Sequence, residues 1–463
     1  MHMVGLPMLD ICPGSFVHWR IATGDSEDIT ESSGTPLPVT HDQRSELVSP
    51  RSARWYAVCV DIAGSIDLEA LRLALEDFII SHSSLLSEFR KNGEEIQRYV
   101  IGRDRVHLEQ FDGNVVSSNA EVVAYLRDHL EMHIDPLSWP AYTFSALVRD
   151  RYTTLVLAFD HIHVDLSSFA LAASEIQELY TYRIDNRCGR LDPAIADPAQ
   201  SSSASENRWD LPKVVESWRD FFSSCGDETP TFPLEVGTCP TVPVAQSTME
   251  IELIDEQTAQ QFEVWCRAHG GSFFSGLLAA TAATAYALGG VKAYRSIAAF
   301  HNRDSATMGS FGWFAAGGPI DIPVNDGMTF AEVLKEAHAS SRRAREFATV
   351  PFELVEANLN ADVLLDNASW FSYMDYRRFP GANRHDEWNA TIVCHERNGT
   401  QADIWVNRAW NRTYVHMRYP DNLLSERNVR LFACGMQEIM RGVASGKLVD
   451  GGEFLSSFLR NTD

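Results

Sequence analysis

Positive charge is scarce in this chain of 463 residues: 39 Lys and Arg stand against 63 Asp and Glu, a net charge of −24. Phosphate backbones are held by basic surfaces, so this balance excludes a nucleic-acid partner. The eight cysteines, at 12, 59, 188, 225, 239, 266, 394 and 434, form no C-x-x-C pair. A chain of this length needs no disulfide staples, so free thiols in a reducing cytoplasm are expected. Residues 1–15 lack a basic n-region and carry Asp10 inside their apolar part, which argues against a secretory signal. Long apolar runs are missing but for one tract, GGSFFSGLLAATAATAYALGGV at 270–291, which holds only four bulky aliphatic side chains. Ala, Thr, Gly and Ser dominate it, so it reads as a helix buried on all sides and not as a membrane span. No internal repeat is visible.

A 45% hydrophobic, 10% aromatic composition is that of a folded globular protein, and the length suits two domains. Residues 1–50 read as irregular, with an acidic patch at 25–31. Strand patterns follow at 55–62, 141–148, 153–159, 248–254 and 294–300. Helical patterns cover 67–83, 119–134, 167–182, 211–222, 255–268 (with Asp255 as N-cap) and 272–288. The polar segment 185–207, with SSSAS at 201–205, reads as a linker or crossing loop, and the proline-rich 229–246 as an extended connection. Both halves run strand, helix, long connection and further strands. The expected division is therefore a first lobe at 1–190, a linker at 191–247 and a second lobe at 248–463.

The stretch that organises the chain is LVLAFDHIHVDLSSFAL, 155–171. Five apolar residues, Leu155 to Phe159, read as a strand buried on both faces. Asp160, His161, His163 and Asp165 follow in a loop, and Ser167 and Ser168 can cap a helix carrying Phe169, Leu171, Ala172, Ile176 and Leu179 on one face. Loops held by rigid elements are where reactive groups are displayed. Three readings are open. The histidines form a structural pair. Or His161, His163 and Asp165, alternating along a strand, ligate a metal; the tract partly resembles the H-x-H-x-D-H run of metallo-β-lactamase-type hydrolases, with Leu166 at the sixth position. Or His161 and Asp165 form H-x-x-x-D, which resembles the H-H-x-x-x-D-G signature of condensation domains, with Asp160 at the first His and Leu166 at the Gly.

A second tract, FHNRDSATMGSFGWFAAGGPIDIPV at 300–324, places Asn302-Arg303 directly after a strand pattern and Gly312-Trp313-Phe314 shortly beyond. By itself Gly-Trp-Phe is a turn with two core aromatics. Combined with the H-x-x-x-D loop, N-R, G-W-F and Pro319-Ile320 resemble the second conserved region of actinobacterial polyketide-associated (Pap-type) acyltransferases, relatives of stand-alone condensation domains. Three further stretches extend the resemblance over about 50–440: the strand and helix from Tyr56 to Phe89 with their "H-S/P-x-L" turn, Val350-Pro351-Phe352-Glu353, and Phe371 to Arg377 with Pro380-Gly381. Several weak motifs in register are far more specific than one.

The resemblance implies an α/β fold of two chloramphenicol-acetyltransferase-like lobes in a V, with an active-site channel between them. It implies acyl transfer from a CoA or carrier-protein thioester to a small-molecule hydroxyl or amine, in natural-product or lipid biosynthesis, by a cytoplasmic monomer that calls for no cofactor or metal. His161 becomes the general base, since a neutral imidazole is suited to take the nucleophile's proton. Asp165 orients His161 or holds the loop. A buried ionised Asp needs a partner, and the resemblance supplies Arg303; Asp160 is a second candidate to pair with Arg303 or a nearby donor. Asn302 and Trp313 shape the site, and Leu166, Ser167, Gly312, Tyr373 and Asp375 line the channel. Leu166, bulkier than Gly, is expected to change the backbone conformation or the pocket there. A non-catalytic condensation-like module that binds carriers or ligands is the alternative.

Overall fold

The computed structural model describes residues 1–21, 36–48, 55–93, 95–185, 210–239, 242–305, 307–359, 365 and 368–447. The acidic patch at 25–31 and nearly all of the expected linker at 185–207 lie outside them. By its contacts the chain forms two compact units, and they are interleaved. The first draws its described residues from Met1–Arg208, Arg303–Phe314 and Arg378–Glu396, the second from Trp209–Asn302, Ala315–Arg377 and Arg397–Asp463. The sequential division into 1–190, 191–247 and 248–463 therefore cuts the chain differently from its contacts: two segments from the C-terminal half pack with the first unit.

The first unit is built on a seven-stranded sheet. Its strands are β1 (His2–Gly5), β2 (Ser15–Ile21), β3 (Trp55–Ala63), β6 (Leu108–Val115), β7 (Tyr142–Val148), β8 (Tyr152–Asp160) and β13 (Thr391–Cys394), and a separate hairpin holds β4 (Ser87–Asn92) and β5 (Glu95–Val100). The order is β1-β13-β3-β8-β7-β2-β6. Only β1 and β13 run parallel; β8 is antiparallel to both β3 and β7. Helices α1 (His41–Val48), α2 (Leu68–Ser81), α3 (Asn119–His133) and α4 (Leu166–Ile184) complete it. Along β8 the faces alternate. Val156 and Ala158 join Leu126 and Leu130 of α3 in one core, while Phe159 meets Phe78 of α2 and Phe169 of α4 on the other. Burial on both faces explains the unbroken apolar run of this strand.

Residues 1–21 are not irregular. β2 sits between β7 and β6, and β1 pairs with β13, whose residues come some 390 positions later. β2 is buried on successive residues, Phe16 to Trp19, so it lacks the alternation that marks a strand, and the partner of β1 leaves no local trace.

The second unit holds β9 (Val244–Asp255), β10 (Ala293–His301), β11 (Ala315–Pro323), β12 (Trp370–Asp375), β14 (Asn398–Gly399), β15 (Asp403–Arg408) and β16 (Arg412–Pro420). They form a seven-stranded sheet in the order β11-β10-β12-β15-β16-β9-β14. Helices α5 (Leu211–Ser224) and α9 (Phe352–Glu356) share one core through Trp218, Phe352 and Ile297. α6 (Glu256–Ala268), α7 (Phe273–Gly289), α8 (Phe330–Phe347) and α10 (Leu423–Ala444) share the other. The small-residue tract is α7, buried along almost its whole length. Its lack of bulk lets neighbours approach: a Cβ at Gly276 would lie 2.5 Å from Cys266 Sγ. Among the described residues no single helix is long and apolar enough to cross a membrane.

Candidate active site

β8 ends at Asp160 and the chain turns at once into one 3₁₀ turn, His161–His163. Asp160 Oδ1 accepts the Ile162 amide at 2.9 Å, which caps the turn. Two side chains fix it from outside: Gln43 Nε2 donates to the Ile162 carbonyl at 3.1 Å, and Ser84 Oγ to the His163 carbonyl at 2.9 Å. The turn hands the chain to α4, whose N-cap is Asp165, not the serines; its Oδ1 accepts the Ser168 amide at 3.1 Å. Leu166 is the first residue of that helix, a right-handed position any side chain can take, so the missing glycine needs no unusual backbone. Ser167, in the same first turn, is buried.

Asp165 is buried, and its carboxylate faces Arg303 in a two-pronged ion pair, Nη1 to Oδ2 and Nη2 to Oδ1, the latter at 2.9 Å. The Phe314 amide also donates, to Oδ2 at 3.1 Å. Arg303 also donates to the Ser310 and Gly312 carbonyls, each at 3.1 Å, and its guanidinium lies 4.4 Å from the Phe314 ring centre. Ser168 Oγ accepts the Gly312 amide at 3.1 Å. The pair thus ties the head of α4 to segment 303–314, which follows β10 of the second unit but packs within the first. None of the hydrogen bonds of Asp165 goes to His161. Asp160 is not on Arg303 either; its carboxylate takes a near neighbour, the Ile162 amide.

His161 is partly exposed, with Nδ1 buried. Its ring lies 4.3 Å from Trp313 and 5.3 Å from Tyr56, centre to centre. His163 turns elsewhere, 5.7 Å from Phe89, and burial pushes its pKa down to about 4. Because the tract is a tight turn and not a strand, His161, His163 and Asp165 diverge instead of sharing a face, and among the described residues no group of three His, Cys, Asp or Glu converges as metal ligands would. This geometry offers the metallohydrolase reading no ligand cluster among the described residues.

The sequence profile of the condensation domain matches residues 37–440. The chain belongs to the condensation-domain family. It is 27% identical, over 94% of its length and 88% of theirs, to the 2'-acyl-2-O-sulfo-trehalose (hydroxy)phthioceranyltransferase PapA1 of Mycobacterium tuberculosis. Similarity to the trehalose-2-sulfate acyltransferase PapA2 of the same species is 24%, over 94% of this chain and 96% of that one. Among solved structures, a PapA2 acyl transferase superposes with a TM-score of 0.86 at 23% identity, covering 96% of this chain and all of the other. The first condensation domain of the calcium-dependent antibiotic synthetase gives 0.68 at 16% identity over 91% and 99%. This condensation-domain protein is an acyltransferase, and the structural likenesses establish its two-lobed α/β fold.

The remaining expected residues of this condensation-domain protein lie in its second unit. Asn302 closes β10, and its Nδ2 donates to the Ala348 carbonyl at 2.9 Å. Tyr373 stacks on Phe274, 5.9 Å between centres. Asp375 is gripped by Arg377 at 2.8 and 2.9 Å, and Arg377 reaches on to Glu256 at 2.8 Å. The structure brings His161, Asp165, Arg303, Gly312 and Trp313 together in the first unit and places Asn302, Tyr373 and Asp375 in the second. Sequence reasoning passed over Tyr56, Gln43 and Ser84, and read Ser168 as a helix cap and not as the partner of Asp165 and Gly312. Tyr56 left no local signal: it comes beside the motif through the β3–β8 pairing, where it stands opposite Phe159.

Proposed function

We propose that this acyltransferase moves an acyl group from a thioester, CoA or carrier protein, to a hydroxyl or amine of a small acceptor, with His161 as general base. The observation that carries this reading is a division of labour at the turn. Asp165 spends its carboxylate on Arg303, Ser168 and Phe314, whereas His161 sits partly exposed on a turn braced from both sides. In the reaction, His161 Nε2 takes the acceptor proton as its oxygen or nitrogen attacks the thioester carbonyl. The tetrahedral intermediate collapses, the C–S bond breaks, and the imidazolium returns the proton to the leaving thiolate. Asp165 and Arg303 are positioning residues, and Asp160 holds the turn. The names of the mycobacterial relatives, which act on sulfated trehalose, favour a hydroxyl over an amine and a role in lipid or natural-product biosynthesis.

The test is acceptor-dependent thiol release from acyl-CoA and from acyl-carrier donors, with products identified by mass spectrometry. Transfer that disappears in folded His161→Ala supports the reading. Binding of thioesters without transfer from any donor would establish a non-catalytic module instead.

A further inference from the structure

Two aromatic side chains flank the His161 ring, and the proton-transfer scheme leaves both unused. Trp313 comes from segment 303–314 and Tyr56 from β3, more than a hundred residues away on either side. Their ring centres lie 4.3 and 5.3 Å from that of His161, tilted by 51° and 76°. Both centre distances lie within the roughly 6 Å at which an aromatic face attracts a cation placed over it. Tyr56 is itself backed by Phe169 of α4 at 6.2 Å. Trp313 follows Gly312, whose amide and carbonyl are tied to Ser168 and Arg303. Each flanking ring therefore stands on a fixed support.

Among the described residues, the carboxylates beside the turn have named partners. Asp165 is neutralised by Arg303, and the Asp160 carboxylate is held on the Ile162 amide. From β3 the titratable neighbour is Tyr56; α4 offers apolar Phe169, and segment 303–314 offers Trp313.

We infer that Tyr56 and Trp313 form an aromatic clamp that orients the His161 ring and stabilises its protonated form. They are positioning residues: they act through the histidine and not on the acyl group. A base flanked this way accepts the acceptor's proton more readily, and the clamp keeps the ring from rotating away as the charge appears. The inference rests on His161 being the base for its catalytic meaning, but the clamp itself is measurable without catalysis.

The experiment is an NMR titration of selectively labelled histidine in the full chain, with the His161 signal assigned by its loss in His161→Ala. Trp313→Leu and Tyr56→Leu should each lower the His161 pKa by about half a pH unit. Trp313→Phe and Tyr56→Phe, which keep a ring, should restore most of that shift and guard against variants that fail to fold. The kinetic pKa of transfer should move in parallel. A His161 pKa unchanged or raised in both leucine variants would overturn the clamp, even if their turnover fell, because exposing the imidazole to water raises its pKa whereas losing an aromatic face beside the cation lowers it. If the titration shifts as expected but His161→Ala transfers at the parental rate, the clamp stands and the general-base assignment falls.

Discussion

Each unit contains the same construction: an antiparallel hairpin whose second strand feeds directly into a long helix. In the first it is β7–β8 followed by α4, in the second β15–β16 followed by α10. The junctions differ. Between β16 and α10 stand only Asp421 and Asn422, and Asn422 caps the helix by accepting the Ser425 amide at 2.9 Å. Asn422 Nδ2 and Ser425 Oγ both donate to the Val236 carbonyl, at 3.0 and 2.6 Å, so the junction is closed by neutral groups. Between β8 and α4 the chain inserts a 3₁₀ turn with a partly exposed imidazole, and the cap is a carboxylate locked to a buried arginine. One architecture thus serves as plain scaffold at one junction and as a candidate site at the other. The chemistry lies in a few residues grafted on the fold.

The comparison breaks most visibly at the caps. Asp165→Ala or Arg303→Ala leaves one buried charge without its partner and should cost about 3–5 kcal/mol of stability. The double variant should be less destabilised than the sum of the singles, read from denaturant melts. If Asp165→Ala melts like the parent, the pair does not hold the junction.

Acid sharpens the contrast next. His18, His163 and His385 have pKa values pushed down to about 4 and His129 to about 3, in each case first by burial, and all four lie in the first unit. Folded values below the ordinary 6.5 mean the unfolded chain binds more protons between 6.5 and about 4, so stability falls as pH drops through that window and the loss levels off below it. His163 alone accounts for at most roughly 3 kcal/mol of that loss. Melting temperature should therefore decline on acidification, with hydrogen exchange opening the first unit before the second, and His163→Leu should flatten the slope. Equal opening of both units would contradict this.

The smallest effect belongs to the neutral junction. Asn422→Ala removes a helix cap and one bond to Val236, a loss of about 1 kcal/mol. A cost equal to that of Asp165→Ala would erase the distinction between the junctions.

Much of this was readable beforehand where the signal is local. The apolar run of β8, the helix of α7 with its small residues, the Asp255 cap (which accepts the Thr258 amide at 2.7 Å) and the Asp165–Arg303 pair all follow from neighbouring residues or matched motifs. What escaped depends on distant partners. β1 is a strand because β13 lies beside it, and segments 303–314 and 378–396 join the first unit through contacts no spacing announces. Asp165 and not Ser167 or Ser168 caps α4, because the loop tightens into a 3₁₀ turn and leaves the carboxylate at the helix entrance. Tyr56 reaches His161 only through the register of β3 against β8.

The central claim is that His161 does the chemistry while Asp165 and Arg303 hold the junction that presents it. The most direct measurement is the single-turnover rate of acyl transfer from a thioester by His161→Ala, beside its melting curve. A rate lower by roughly a hundredfold to ten-thousandfold with parental melting is the expected result. A folded His161→Ala protein that transfers the acyl group at the parental rate would contradict it.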